Sequence, residues 1–200
     1  MNLPLDDSCG ETPEIKRCQV LAKQAAADEY RGELDAAIEK YRMIADILLS
    51  VVARDAEYTR YLEELSRCYW RSGEIEDGLG RPLAAADCYR RSIGFGQRLS
   101  IAQPDNRKYT LALVERCDKL AAFLAHGGDS GEAIHWFSRG TKILRRFAWN
   151  SDEGRQFADS LKFRYWRLEE SERSIGRVNE AFYWRRQFDE ICKKFSSFAE

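Results

Sequence analysis

The sequence has almost no surplus of charge of either sign, and it contains no long apolar run. Its 200 residues include 32 basic and 33 acidic side chains, which leaves a net charge of -1. Without a strong overall field, the chain is not expected to attract nucleic acid or an anionic membrane. The weaker alternative is that nucleic acid binds along a local basic edge formed by Arg145, Arg146, Lys193 and Lys194. No apolar stretch approaches the about 18 residues of a membrane span, and the N-terminus lacks the pattern of an export signal. We therefore expect a cytoplasmic protein with no membrane partner.

Groups suited to catalysis or metal binding are also scarce. The two histidines, His126 and His135, belong to no recognisable set with an acid and a nucleophile. The six cysteines include no C-x-x-C pair and no closely spaced Cys/His set of the kind that binds zinc. The sequence therefore predicts a protein that is not an enzyme and that uses no metal and no cofactor.

Three of the cysteines, Cys18, Cys68 and Cys117, fall within apolar stripes. Free cysteine in such a position behaves as a small buried apolar residue. We therefore predict reduced, structural thiols; a disulfide framework is the alternative.

A ten-residue outline returns four times at one fixed spacing. It reads GELDAAIEKY from Gly32, GRPLAAADCY from Gly80, GDSGEAIHWF from Gly128 and GRVNEAFYWR from Gly176. The interval is 48 residues each time. Because periods of about 20 to 50 residues are typical of repeat architectures, the sequence predicts four copies of one structural unit.

Each of these glycines separates two apolar stripes with helical spacing. After Gly32, for example, Ala37, Tyr41 and Val51 lie on one face of a helix, and Leu21 belongs to a second stripe before it. Each unit is therefore predicted to be a hairpin, with helix A before the glycine and helix B after it. The hairpins are expected over about 12–52, 56–102, 105–148 and 152–198, within a single domain over 12–200 that follows a flexible arm over 1–11.

The columns of the repeat resemble the tetratricopeptide repeat (TPR) family. That family has a diagnostic alanine and an aromatic residue in helix B, and a bulky residue in helix A. The matching positions here are Ala37, Ala85, Ala133 and Ala181, then Tyr41, Tyr89 and Phe137, and then Leu21, Tyr69 and Tyr165. The resemblance covers about residues 18 to 196, and within the family the sequence is most similar to the bacterial members with long helices.

Two departures from the family pattern stand out. The usual period is 34 residues, so about fourteen extra residues lengthen the two helices of each hairpin. In the fourth unit, Glu169 and Arg185 replace the small and the aromatic residue. The resemblance implies an all-α, right-handed α-solenoid of four helical hairpins whose A helices line a concave groove. It also implies a non-catalytic adaptor or scaffold that binds a protein or peptide segment in that groove.

Two tryptophans occupy equivalent places in this predicted groove. Trp70 and Trp166 each precede a carboxylate by four residues, Glu74 and Glu170 respectively, on the same helix face. An aromatic ring beside a carboxylate suits a basic or amphipathic peptide. The alternative is that both tryptophans pack between neighbouring A helices. The other candidate groove residues, transferred from the family, are Asp77, Asp118 and Arg173.

The last helix offers a second hypothesis for function. Trp184 lies where a following repeat would pack, and the sequence contains no further repeat after it. An uncovered apolar end favours a homodimer or a docked partner, with Trp184 and Phe198 as candidate contacts. In the other interpretation, Phe198 and Ala199 fold back over the end. The alternative function is therefore a structural module that forms homo-oligomers through its C-terminal helix.

Overall fold

A computed structural model describes residues 12–53, 59–150 and 154–196. The predicted arm over 1–11 and the candidate contact Phe198 lie outside the described residues. Contacts within the chain form two compact units, unit 1 over Met1–Pro104 and unit 2 over Asp105–Glu200. The single domain predicted over 12–200 therefore stays a prediction.

Unit 1 consists of two consecutive helical hairpins. Thr12 caps the first helix by accepting the Ile15 amide at 3.4 Å, and Pro13 occupies the first helical position, where no backbone donor is needed. Pro82 likewise occupies the start of the fourth helix. The helices, each packed against the next, are α1 (Pro13–Arg31), α2 (Leu34–Val52), α3 (Thr59–Gly78) and α4 (Pro82–Ala102).

Unit 2 repeats this arrangement. Asp129 accepts the Glu132 amide at 2.9 Å, which is the N-cap bond of a capping box. The helices are α5 (Arg107–His126), α6 (Ser130–Asn150), α7 (Ala158–Ser174) and α8 (Val178–Ser196), with a 3-10 turn over Gly154–Phe157 before α7. The part of the chain that the structure describes contains no strand, and the helices fall within a few residues of the predicted hairpins. None of these helices is both long and apolar enough to cross a membrane.

The four repeated glycines end the A helices in a left-handed backbone conformation. Their φ angles are 77° at Gly32, 70° at Gly80, 87° at Gly128 and 78° at Gly176. At the first turn, the Gly32 amide donates to the Glu29 carbonyl at 3.0 Å and the Glu33 amide to the Asp28 carbonyl at 2.8 Å. This pair of bonds is the Schellman motif, and the other three turns form it as well. Glycine recurs every 48 residues because this conformation strains any residue with a Cβ atom.

Substituting alanine at two glycines of the second hairpin (hairpin 2, formed by α3 and α4) is expected to change stability in opposite directions. Gly80→Ala should lower the free energy of unfolding by about 1 kcal/mol, because φ is positive although nothing surrounds the new Cβ. Gly94→Ala should raise it by about 0.5–1 kcal/mol, because Gly94 lies inside α4 with ordinary φ and open space beside it. Urea denaturation followed by circular dichroism measures the free energy of unfolding of both variants. If both substitutions raised it, or both lowered it, the assignment of Gly80 to the turn would be wrong.

Each unit has its own apolar core. In unit 1 the fully buried side chains include Tyr61, Leu62, Leu65 and Ile93. The core of unit 2 joins α5, α6, α7 and α8 through Val114, Ile134, Leu144, Leu161, Tyr165, Leu168, Trp184 and Ile191. The A and B helices therefore bury their predicted stripes against each other.

The predicted buried cysteines are confirmed. Cys18, Cys68 and Cys117 are buried and free. Burial raises the pKa of Cys18 and that of Cys117 to about 11, and it raises the pKa of Cys68 as well. All three side chains are therefore neutral thiols at physiological pH, which suits a structural role.

The environment of Trp184 corrects the expectation of an exposed apolar end at this residue. Trp184 is only 4% exposed, and its ring stacks on Tyr165 at a centroid distance of 6.1 Å. Its position on α8 points towards α7 rather than outwards, so it belongs to the core of unit 2. The large apolar side chains of α8 that do face solvent are Val178, Phe182 and Tyr183.

Candidate functional site

In unit 1, the predicted tryptophan and carboxylate of α3 belong to a network that reaches α1. Trp70 donates its indole N–H to Glu74 at 3.0 Å, and Glu74 also accepts from Arg71 at 2.8 Å. The Nε atom of Arg71 lies 2.9 Å from Oε2 of Glu29 on α1. Tyr41 donates its hydroxyl to the same Glu29 at 2.7 Å. Side chains of unit 1 thus already bind both carboxylates.

The electrostatics of this network favour the charged forms of Glu29 and Arg71. Partial burial alone would raise the pKa of Glu29, but hydrogen bonds from Arg71 and Tyr41 outweigh it and lower that pKa. The pKa of Arg71 is raised, because Glu29 and Glu74 both accept its hydrogen bonds. Burial, together with the bond to Glu29, raises the pKa of Tyr41. The pair therefore ties α1 to α3 across a wide range of pH.

Unit 2 contains an open, mainly apolar groove where α5, α6 and α7 meet. Its volume is about 390 Å³, which falls within the usual range for ligand sites in proteins. Two charged residues line it, Asp118 on α5 and Arg167 on α7. The apolar lining includes Ala122 and Ala125 from α5, Ile134 and Phe137 from α6, and Phe163 and Leu168 from α7.

Asp118, which lines this groove, is held by a buried arginine. Its two oxygens each accept from Arg164 on α7 at 2.6 Å. Arg164 also donates to the Thr141 hydroxyl at 3.0 Å and lies over the ring of Phe137 at 4.5 Å. Gly140 leaves room for the guanidinium, because a Cβ there would come within 2.9 Å of Arg164 Nη2. One arginine therefore joins three helices, and the charge of Asp118 is neutralised within unit 2.

The two predicted tryptophans have different surroundings. Trp166 is 46% exposed, and its ring centroid lies 6.0 Å from that of Phe163 on the groove wall. Trp70 is half-buried and lies 4.6 Å from Tyr89 of its own hairpin. Trp166 is therefore the more accessible of the two.

The remaining candidate residues are scattered around these tryptophans. Asp77 and Glu170 are exposed at the surfaces of α3 and α7. Arg173 forms an ion pair with Glu169 at 2.8 Å. Of the candidates in unit 2, Asp118 lines the groove and Trp166 contacts the lining residue Phe163, whereas Trp70 and Glu74 of unit 1 belong to a closed network.

Glu169 and Arg185, which depart from the repeat pattern, meet each other in the structure. Their charged atoms lie 3.6 Å apart. In hairpin 2 the equivalent residues are Gly73 and Tyr89, and a Cβ on Gly73 would fall 2.6 Å from the Tyr89 ring. The last hairpin therefore exchanges a small–aromatic contact for an ion pair, and the two departures compensate for each other.

The two arginines that follow the tryptophans were not among the predicted site residues. Arg71 links the A helices of unit 1, and Arg167 lines the groove of unit 2. The signal was available, since the dipeptide Trp-Arg occurs at 70–71 and again at 166–167, two repeat periods apart. Among the described residues, no group of three His, Cys, Asp or Glu side chains is placed to hold a metal ion.

No protein-family model and no curated protein matches this sequence. Solved structures do share its fold. BtubC (BKLC) from P. vanneervenii is 16% identical with a TM-score of 0.53, over 96% of this chain and 70% of that one. The DHF119 filament is 17% identical with a TM-score of 0.58, over 94% of this chain and 98% of that one. A putative kinesin light chain from Podosopora anserina with nearly identical TPR-like repeats is 16% identical with a TM-score of 0.48, over 97% and 82% of the two chains.

The predicted fold is thereby confirmed at the level of architecture. The described residues form four helical hairpins with a glycine turn at one fixed period, and similar all-helical chains exist among solved structures. The chain has a TPR-like helical-repeat fold.

Proposed function

We propose that this protein is a non-catalytic adaptor that binds a segment of another protein in the groove of unit 2. The observation that carries this proposal is the open groove of about 390 Å³ between α5, α6 and α7. Grooves between consecutive A helices suit extended or helical peptides, because one face of the ligand can bury its apolar side chains there. The cytoplasmic location expected from the composition is part of the proposal.

The candidate residues are expected to contribute unequally to binding. Trp166 and Phe163 form an aromatic rim, and large exposed aromatic side chains supply much of the free energy of binding at protein interfaces. Glu170, Arg173 and Asp118 lie on the same hairpins as the groove. The corresponding surface of unit 1, with Trp70, Glu74 and Asp77, is secondary because its own ion pairs already occupy it.

A groove-filling substitution tests this proposal. Peptides selected from a random phage-displayed library on the intact protein would be measured against Ala122→Trp by fluorescence polarisation. The indole would fill the groove without removing any contact of the fold, so Kd should rise at least about tenfold. Ala27→Trp, an exposed alanine of α1, is the matched control and should leave Kd unchanged.

Two further results would decide between the units. Trp166→Ala should weaken the selected peptides by about 1–2 kcal/mol, whereas Trp70→Ala should have little effect. Circular dichroism of every variant establishes that the fold is intact. Equal binding to Ala122→Trp and to the intact protein would contradict a site in this groove.

A further inference from the structure

The ion pair of Arg71 and Glu29 in unit 1 has an incomplete equivalent in the groove of unit 2, where Arg167 replaces Arg71. We infer that the bound segment presents a carboxylate to Arg167 beside an apolar side chain that occupies the groove. The inference rests on the proposed function, because it specifies what the same groove recognises.

Arg71 and Arg167 hold the same position in their units. Each lies nine residues before the turn glycine of its hairpin, at Gly80 and Gly176 respectively, on the second A helix of its unit. Arg71 binds a carboxylate that comes from the first A helix, that of Glu29. Unit 1 thus shows that an arginine at this position can bind a carboxylate presented by the neighbouring A helix.

In unit 2 the carboxylate is missing from that place. Glu29 lies three residues before Gly32, and the residue three before Gly128 is Ala125. Ala125 and Arg167 line the same groove. Within the described part of the chain, no carboxylate forms an ion pair with Arg167. A ligand carboxylate can therefore occupy the volume that the Glu29 side chain fills in unit 1.

The other charges near the groove leave this positive site uncompensated. Among the described residues that line the groove, Asp118 is the only acidic one, and Arg164 binds both of its oxygens. Glu170 lies one turn beyond Arg167 on α7, yet its side chain is exposed, and among the described residues it forms no ion pair with Arg167. The groove thus combines one available guanidinium with an apolar floor formed by Ile134 and Phe137.

A guanidinium and an apolar floor favour a particular ligand chemistry. Arginine presents a planar set of donors that matches both oxygens of a carboxylate, and such bonds are stronger than neutral ones. The floor takes an apolar side chain from the same segment. A basic segment, which sequence analysis favoured, would place a second cation beside Arg167. The carboxylates that could attract it in unit 1, Glu29 and Glu74, are already bound by Arg71.

Three peptide pools test the inference directly. All would be acetylated and amidated nonapeptides of the same Ala, Ser, Leu and Phe composition, with one Glu, Gln or Lys placed at each position in turn. The pools would be passed over the immobilised full chain and quantified by mass spectrometry. The Glu pool should be retained at least about tenfold more than the Gln pool, because it adds a charge-assisted hydrogen bond.

Two variants should abolish that preference. Arg167→Gln removes the guanidinium, and Ala125→Glu supplies the missing carboxylate in cis, as Glu29 does for Arg71. Arg186→Gln on α8 and Ala27→Glu on α1 make the same changes of net charge at exposed positions outside the groove, and both should keep the preference. Matching circular dichroism spectra establish that the variants are folded.

The outcomes separate the inference from the function on which it rests. Equal or greater retention of the Gln or Lys pool would overturn the carboxylate, while loss of that binding in Ala122→Trp would still support a groove ligand. Persistence of the Glu preference in both Arg167→Gln and Ala125→Glu would also overturn it. Retention of no pool by the intact protein would count against both proposals.

Discussion

Trp184→Ala is expected to lower the free energy of unfolding of unit 2 by about 3–5 kcal/mol. The side chain is 4% exposed, stacks on Tyr165 and lies in the core with Ile191. Removing a buried indole loses the favourable free energy of transferring it from water into the core. It also leaves a cavity that the surrounding helices fill only in part. Urea denaturation at pH 7, followed by ellipticity at 222 nm, measures the loss.

A matched control lies two residues earlier on the same helix. Phe182 is 62% exposed, so Phe182→Ala should change stability by less than about 0.5 kcal/mol. Trp184→Phe should cost less than Trp184→Ala, because it keeps most of the volume and loses the indole N–H. If Phe182→Ala destabilised the protein as much as Trp184→Ala, the assignment of the core face of α8 would be wrong.

Asp118→Ala is expected to lower the free energy of unfolding by about 3 kcal/mol. Its carboxylate is the counter-charge of Arg164, whose side chain is only 7% exposed. Removal of one partner leaves a buried guanidinium without compensation, which is costly even though the intact pair adds little net stability. Arg164→Met should cost less, because Asp118 is 33% exposed and can be hydrated. The same denaturation measurement compares the two variants.

The double variant Asp118→Leu/Arg164→Met provides the control for this asymmetry. With both charges removed, most of the stability lost in Asp118→Ala should return. A double variant as unstable as the single one would show that shape, rather than charge, dominates at this site. Because Asp118 also borders the groove, any loss of ligand in Asp118→Ala has to be compared with the loss of folded protein.

The predictable part of the fold follows from local rules. Gly32, Gly80, Gly128 and Gly176 could be found from sequence because a left-handed helix end accepts few other residues. The apolar stripes identified the helices, since only a period near 3.6 places their members on one face. Thr12, Pro13 and Asp129 stabilise helix starts for equally local reasons.

The candidate site was only partly predictable. Trp70 and Trp166 appeared equivalent in sequence, and the structure gives each a different exposure. Trp70 lies against Tyr89 of its own hairpin, whereas the residue in that column of the fourth hairpin is Arg185. A single repeat column contains no information about the column that it faces, so neither Arg167 nor the packing of Trp184 on Tyr165 could be predicted.

The sequence by itself determined that this chain is a series of four helical hairpins, because helix period, glycine turns and caps are properties of residues close together in the chain. The tertiary structure alone decided which charges are satisfied. Arg164 with Asp118, Arg185 with Glu169 and Arg71 with Glu29 are pairs separated by 46, 16 and 42 residues. The physical reason is that an ion pair depends on distances of a few ångströms between helices, and those distances are set by how whole helices pack.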